Sequence, residues 1–502
     1  MEECMFDFDK LSVSKFYVAP SVERVVEFSP PGIDMQNIAK VLSLAVEAKC
    51  NSQDVYEGYA QIGGRTNFRL CYLDREGTPR TADYNADFTV RVDGEFMADD
   101  SANCTIKVVE SDIQATEALL LSAVLEVSVC AQRREEIEAL TNAEQCYKTQ
   151  RKIFLPSFIA SKTTAAPFED EQEVGGEISS VLGLNVNCAV KRAESIDGGA
   201  LVAAGVYALV TYVEGGNIKQ REFKMDIEEE VNLDGVQAGD SISVSASVKS
   251  SKIILQGVTD DNVIKVEGEI QLKIQAFRCS EIDVIDDMFT LTNEVSVTRE
   301  NKDYVCFDGC GFFSENVSGT AILGDNRVPV IEVNALPYAR CYTSKAYVDE
   351  DGKLSVEGIV NADIIYTDEN GYNSVRTEIP FSLSIASVQP FSKTVKVCCA
   401  IEGISAKVRR EREIDIDVRL GVEVCGYSSV TAEYISAVEV GEEKPQNKSA
   451  LSLYIANDGD EILDLCKALT AMPEQIIAQN PGLQFPLKEG DRVIYFRQML
   501  EA

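Results

Sequence analysis

The 502-residue chain contains no histidine. That removes Ser-His-Asp and Cys-His catalysis, histidine-ligated zinc, and the commonest general base near neutral pH. Tryptophan is absent as well, which takes away the ring that sugar-processing clefts use most for stacking. Basic residues are scarce: 47 Lys and Arg stand against 82 Asp and Glu, for a formal net charge of −35. Nucleic acids and anionic membranes are polyanions that proteins meet with Lys and Arg, so this charge argues against both and fits a basic partner or solubility. No apolar run approaches the length of a membrane span, and Met1-Glu2-Glu3-Cys4 opens without a basic region or an apolar stretch. The expectation is a chain that stays in the cytoplasm with no membrane insertion. No Gly-rich loop ending in Gly-Lys-Ser or Gly-Lys-Thr is present, so no P-loop ATPase is expected. A glycosidase needs only two carboxylates, but its usual companions, tryptophan and an export signal, are missing. We expect no enzyme.

What is present points to packed β-structure. Apolar residues make up 45%, which excludes a disordered acidic tail, and the length allows three or four domains, each with its own core. The 15 cysteines are odd in number and follow no framework spacing, as expected of reduced small hydrophobes in a cytoplasm. Cys306 and Cys310 could supply two thiolates to zinc, but a closed site needs about four ligands. Cys398 and Cys399, being adjacent, should pack on opposite faces of a strand. The acidic turns Asp349 to Gly352 and Asp368 to Gly371 could hold calcium, and solvated hairpin turns explain them equally. No metal or cofactor is expected.

The first 440 residues repeat. Ile38, Val41, Leu42, Leu44 and Val46 recur 140 residues later as Ile178, Val181, Leu182, Leu184 and Val186, and Tyr72 recurs as Tyr212 at the same offset. A third copy, shifted by 154, puts Tyr366 in that place. Each tyrosine ends an apolar strand and is followed by an acidic or glycine-containing turn, which is hairpin chemistry. Further on, each copy has a strand of alternating apolar residues, clearest at Ile414, Ile416, Val418, Leu420, Val422 and Val424. Its counterparts are Ile264, Val266, Ile270, Leu272 and Ile274, and then Leu119, Leu121, Leu125, Val127 and Val129. The stretch Ala115 to Leu140 also tolerates a helical reading. The fold expected is mainly β: three tandem sandwich-like repeats at 1–155, 156–290 and 291–440. Ser157 to Gly176, with the acidic run Glu169 to Glu173, reads as a boundary segment, and 441–450 as a flexible tether.

The last fifty residues read strand, helix, helix, strand. Leu451 to Ala456 leads into Asn457, Asp458, Gly459 and Asp460, where Asp458 or Asp460 can cap a helix carrying Ile462, Leu465, Cys466 and Leu469. Pro473 opens a second helix, which Asn480, Pro481 and Gly482 stop, and Arg492 to Phe496 closes the unit. Through Tyr454, Gly459-Asp460, Asn480-Pro481, Leu487 and Gly490, residues 451–498 resemble a LysM domain. That resemblance implies a small α+β (βααβ) domain that binds N-acetylglucosamine glycan, or a protein, in a groove between two loops. Here those loops are Asp458, Gly459, Asp460, Glu461 and Ile462 on one side, and Gln479, Asn480, Pro481, Gly482 and Leu483 on the other.

The third repeat, with Val356-Glu357-Gly358, Ile364-Ile365-Tyr366, Ile379-Pro380-Phe381 and Arg412 to Val424, resembles the SPOCS domain of clostridial spore-coat proteins. Ala86-Asp87-Phe88 and Phe223-Lys224-Met225 stand in similar places in the other two. SPOCS domains followed by one LysM domain resemble the SipL-like family of coat morphogenesis proteins. The resemblance implies a non-enzymatic scaffold in the mother-cell cytoplasm at the forespore surface. Its implied partners are the coat morphogenetic ATPase of the SpoIVA type and other coat proteins. The alternative is a wall or cortex protein that binds N-acetylglucosamine glycan, as in peptidoglycan or chitin.

Overall fold

The computed structural model describes residues 5–30, 37–115, 119–258, 261–324, 327–386, 392–445 and 449–497. These residues are mainly β, with two short helices among them after residue 460. The first strands are β1 (Met5–Val18), β2 (Val22–Phe28), β3 (Ile38–Tyr56), β4 (Tyr59–Asp74), β5 (Pro79–Asp93), β6 (Ser101–Ala115) and β7 (Leu119–Glu144). Next come β8 (Tyr147–Val174), β9 (Ile178–Ile196), β10 (Gly199–Glu214), β11 (Asn217–Asn232), β12 (Ser241–Val258) and β13 (Asp261–Phe289). A third series follows: β14 (Asn293–Ile322), β15 (Glu332–Val348), β16 (Leu354–Asp368), β17 (Gly371–Ile385), β18 (Thr394–Arg410) and β19 (Glu413–Glu443).

These strands pair in one pattern three times. Three meanders, β3-β4-β5, β9-β10-β11 and β15-β16-β17, each form a three-stranded antiparallel sheet. The next two strands of each series form a hairpin, β6–β7, β12–β13 or β18–β19, whose long second strand also pairs with the strand that opened the series. In the first series β1 and β2 share that role along β7. The break between them holds Pro20, which has no N–H to give the ladder.

Alternation explains why β7, β13 and β19 sit centrally. Leu121, Leu125, Val127 and Val129 are wholly buried, as are Ile264, Val266, Ile270, Leu272 and Ile274, and Ile414, Ile416 and Leu420. In β7 the strand period therefore prevails over the helical one. The side chains opposite them come from the meander of the same series, so each pair of sheets shares one core. Tyr212 and Tyr366 are buried just before their turns, and Gly215 and Gly216 both take positive φ, as a two-residue hairpin turn of this hand requires.

Two local devices recur. Phe88 lies across the ladder from Gly64, and Phe381 from Gly358; a Cβ at either glycine would fall within 2.6 Å of the ring. In the second series the register puts Ile227, paired with Ala204, where Phe88 and Phe381 stand. Phe223-Lys224-Met225 is thus two residues early as a counterpart of Ile379-Pro380-Phe381, although a two-residue shift keeps the same face. The second device is a buried carboxylate clamp. Arg133 grips Asp100 through Nε and Nη2 at 2.7 and 2.9 Å, and Asp100 also accepts the Met97 N–H. Arg278 grips Asp240 at 2.7 and 2.8 Å, and Asp240 accepts the Gln237 N–H.

The three series are packed together. Leu42, Leu182 and Ala335, one from each meander, fall in one buried cluster with Leu73, Val213 and Ile365. The long strand pairs meet in another, which includes Val13 and Ile137, Leu155 and Val284, and Tyr304 and Tyr434. Between the first and third series, Arg376 is held by Asp363 and donates to the Ser111 and Leu44 carbonyls, while Asp363 accepts the Leu44 N–H.

The boundaries differ from those expected. Position 155/156 falls inside β8, and Ser157 to Gly176 is mostly strand, with Glu169 to Glu173 paired to β13. β8 lies at the edge of its sheet, where polar residues such as Glu169, ion-paired with Lys265 at 2.9 Å, remain wet. Position 290/291 does fall between β13 and β14. The tether expected at 441–450 begins as strand, since β19 runs to Glu443, and residues 446–448 lie outside those described.

Candidate docking site on the C-terminal module

After residue 449 the elements are β20 (Leu451–Ile455), α1 (Ile462–Leu469), α2 (Pro473–Gln479) and β21 (Arg492–Phe496), with β20 and β21 antiparallel. Leu463, Leu465, Cys466 and Leu469 of α1 and Ile476 of α2 bury against Val493 and Tyr495. The same cluster takes in Phe289 at the end of β13, with Tyr147 and Leu291 beside it. Lys467 pairs with Asp287, and Lys444 lies 4.0 Å over the Phe289 ring while donating to the Thr290 carbonyl at 2.7 Å. The module is therefore docked on the ends of β8 and β13 and shares a core with them, where a flexible tether had been expected.

The first loop is organised by Asp460. Its Oδ2 accepts the Tyr454 hydroxyl at 2.7 Å and the Asn457 N–H at 2.8 Å, and these bonds hold its carboxyl below the usual range. Gly459, at φ +93°, donates to the Leu487 carbonyl, and Leu487 donates back to Asp460. Neither Asp458 nor Asp460 caps α1. The cap is Glu461, whose N–H donates to Asp464 Oδ2 at 2.9 Å. Asp458, Gly459 and Glu461 are exposed and Ile462 half-buried.

In the second loop the amides face inward to the module. Asn480 Oδ1 accepts the Ile494 N–H and Asn480 Nδ2 donates to the Ile494 carbonyl. Gln479 does the same for Phe496, accepting its N–H at 2.7 Å and donating to its carbonyl at 3.1 Å. Both side chains act as a strand edge along β21, so their polar atoms are spent on the fold. Pro481 and Gly482 are exposed, and Leu483 packs at the margin of the core.

The sheet presents what the loops do not. Leu451 faces Phe496 across the ladder and Leu453 faces Ile494, and directly opposed residues project to one side. With Ile455 they form a continuous apolar face, exposed by 55%, 58%, 57%, 41% and 62% for Leu451, Phe496, Leu453, Ile494 and Ile455. Scattered apolar residues on a surface need no explanation, but these five make one contiguous apolar patch on a two-stranded sheet. Sequence reasoning passed over these five. The signal was the near-continuous apolarity of Leu451 to Ile455, which alternation alone could not sort into inner and outer faces.

Other residues singled out in the sequence are spent on structure. Asp349 accepts the Lys353 N–H, and Asp368 accepts the Asn370 N–H and the Asn373 amide, so both acidic turns close hairpins with their own carboxylates. Among the described residues no helix is long and apolar enough to cross a membrane.

Comparison with known proteins bears on the third series. Residues 338–409 match the family model described as SipL, SPOCS domain. The match runs from within β15 through β16 and β17 to the end of β18. This segment is similar to a SipL-type SPOCS domain. No curated protein and no solved structure matches the chain.

Proposed function

We propose that the chain is a non-enzymatic scaffold of spore-coat assembly, built from three SPOCS-like β repeats and a LysM-like module that docks protein. The SPOCS match at 338–409 supports a sporulation and spore-coat role. The two other strand series extend it, since they share the strand order of the matched one. The observation that carries the docking role is the apolar face of Leu451, Leu453, Ile455, Ile494 and Phe496.

In this reading the sheet face, more than the groove between the loops, receives the partner. Gln479 and Asn480 are committed to β21 and offer little to a sugar, whereas an exposed apolar face suits the hydrophobic core of a protein interface. The partner expected is the coat morphogenetic ATPase, met in the mother-cell cytoplasm at the forespore surface. The body of the molecule would hold the module in fixed orientation and present further coat proteins with its acidic surface.

Calorimetric titration of the full chain against the purified coat ATPase of the same organism, and separately against chitopentaose, tests the proposal. Saturable binding to the ATPase with no sugar response is expected. Sugar binding with silence toward the ATPase would make the chain a glycan receptor and end the scaffold reading.

A further inference from the structure

Among the described residues no disulfide joins two cysteines, yet the cysteines are not scattered. Cys279 Sγ lies 2.9 Å from Cys306 Sγ, and Cys310 Sγ lies 2.7 Å from Cys425 Sγ. The sequence motif Cys306 to Cys310 thus divides between two different partners.

The two pairs differ in access. Cys279 is exposed and its partner Cys306 buried, whereas the half-buried Cys310 faces the buried Cys425 across the β14–β19 ladder. Metal binding does not account for the accessible pair. Among the described residues the one group of three close ligands is Cys310, Glu423 and Cys425, so Cys279–Cys306 has no third ligand at hand.

We propose that Cys279–Cys306 is a dithiol site that closes to a disulfide by exchange with a low-molecular-weight disulfide. The exposed thiolate attacks one sulfur of the small disulfide, whose S–S bond breaks and releases one small thiolate. The partner cysteine then gives up its proton and attacks the mixed disulfide, forming the protein S–S bond and releasing the second small thiol. The protein loses two hydrogens and the small disulfide gains two. The two sulfurs need to approach by less than about 1 Å to reach bonding distance.

The bond would fasten parts that the ladders leave unjoined, since Cys279 is on β13 and Cys306 on β14, and so joins the second series to the third. It lies at the root of the segment that carries Asp287 and Phe289 to the C-terminal module.

The full-length chain, purified reduced, is treated with oxidised glutathione at neutral pH, alkylated in denaturant and mapped as unreduced peptides. A linked 279/306 peptide should form before any 310/425 link, and dithiothreitol should reverse it. Cys306→Ser should trap glutathione on Cys279. In the unsubstituted chain, a stable glutathione adduct at Cys279 with alkylated Cys306, no modification of either, or a link from either to another cysteine, would overturn the proposal. Because the mapping of the unsubstituted chain decides the matter, a variant that fails to fold leaves the test intact.

Discussion

Asn480 completes the edge of β21 by exchanging two hydrogen bonds with Ile494, accepting its N–H at 3.0 Å and donating to its carbonyl at 2.8 Å. One side-chain amide thereby replaces a residue of a third strand. A residue taken from the sequence as part of a binding groove is, in the structure, part of what holds α2 against the sheet.

Asn480→Ala should therefore act on stability first. It leaves the Ile494 N–H and carbonyl without their partner, at a cost of about 1–2 kcal/mol. Amide hydrogen exchange at Ile494 should accelerate by about tenfold, while amides of β7 and β13 keep their rates. Unchanged exchange at Ile494 would mean that water replaces the amide without loss.

Binding should instead respond on the sheet face. Leu453→Lys and Phe496→Ser change side chains that are already exposed, so circular dichroism and thermal melting should change little. Loss of a central apolar contact costs an interface about 2 kcal/mol or more, a drop in partner affinity of at least about thirtyfold. Wild-type affinity in both variants would move the docking surface elsewhere.

How legible all this was depends on range. The alternation in β7, β13 and β19 could be read directly, because a central strand with one face in a core must repeat every second residue. The tyrosine offsets exposed the recurrence because each tyrosine is fixed by the hairpin turn beside it. The boundary near residue 155 was misplaced because β8 is an edge strand. Its Thr, Ala and Glu residues satisfy a ladder on one side and water on the other, which in composition resembles a linker. The packing of the three series was not legible at all, since Leu42, Leu182 and Ala335 lie far apart in the chain. In the module, the turns at Gly459 and Pro481 could be read from local chemistry. Which face of β20 is inside depends on where the helices lie, and no local pattern carries that.

The clamps Asp100–Arg133 and Asp240–Arg278 should each matter to stability. Their carboxylates are almost fully buried, with side chains 1% and 5% exposed, and removing the arginine strands a charge. Arg133→Met or Arg278→Met should cost about 3 kcal/mol in denaturant unfolding. Burial alone would raise both carboxyl pKa values, but the arginine and a backbone N–H outweigh it and hold them below the ordinary value. The contribution is then present above the unfolded value near 3.8 and lost as pH falls through the folded one. Acid unfolding of Asp100→Asn should be correspondingly less steep.

Glu423 reverses that sign. It projects from β19 on the face opposite the core residues Val422 and Val424, with Phe312 and Cys398 beside it on the neighbouring strands. Burial pushes its carboxyl up to about 7 from 4.5, against the opposing pull of the Cys425 thiol, which donates at 3.5 Å, and of the Lys396 charge. A raised folded value means stability that is whole below about 4.5 and lost as pH rises through about 7. The shift corresponds to a loss of up to about 3 kcal/mol. Glu423→Gln keeps the shape and removes the charge, so it should match the parent near pH 4.5 and exceed it at pH 8 by up to that amount. Urea unfolding of the reduced chain at both pH values measures the difference directly. Parallel losses in parent and variant between the two would show that Glu423 reaches water once ionised and that the slope comes from other groups.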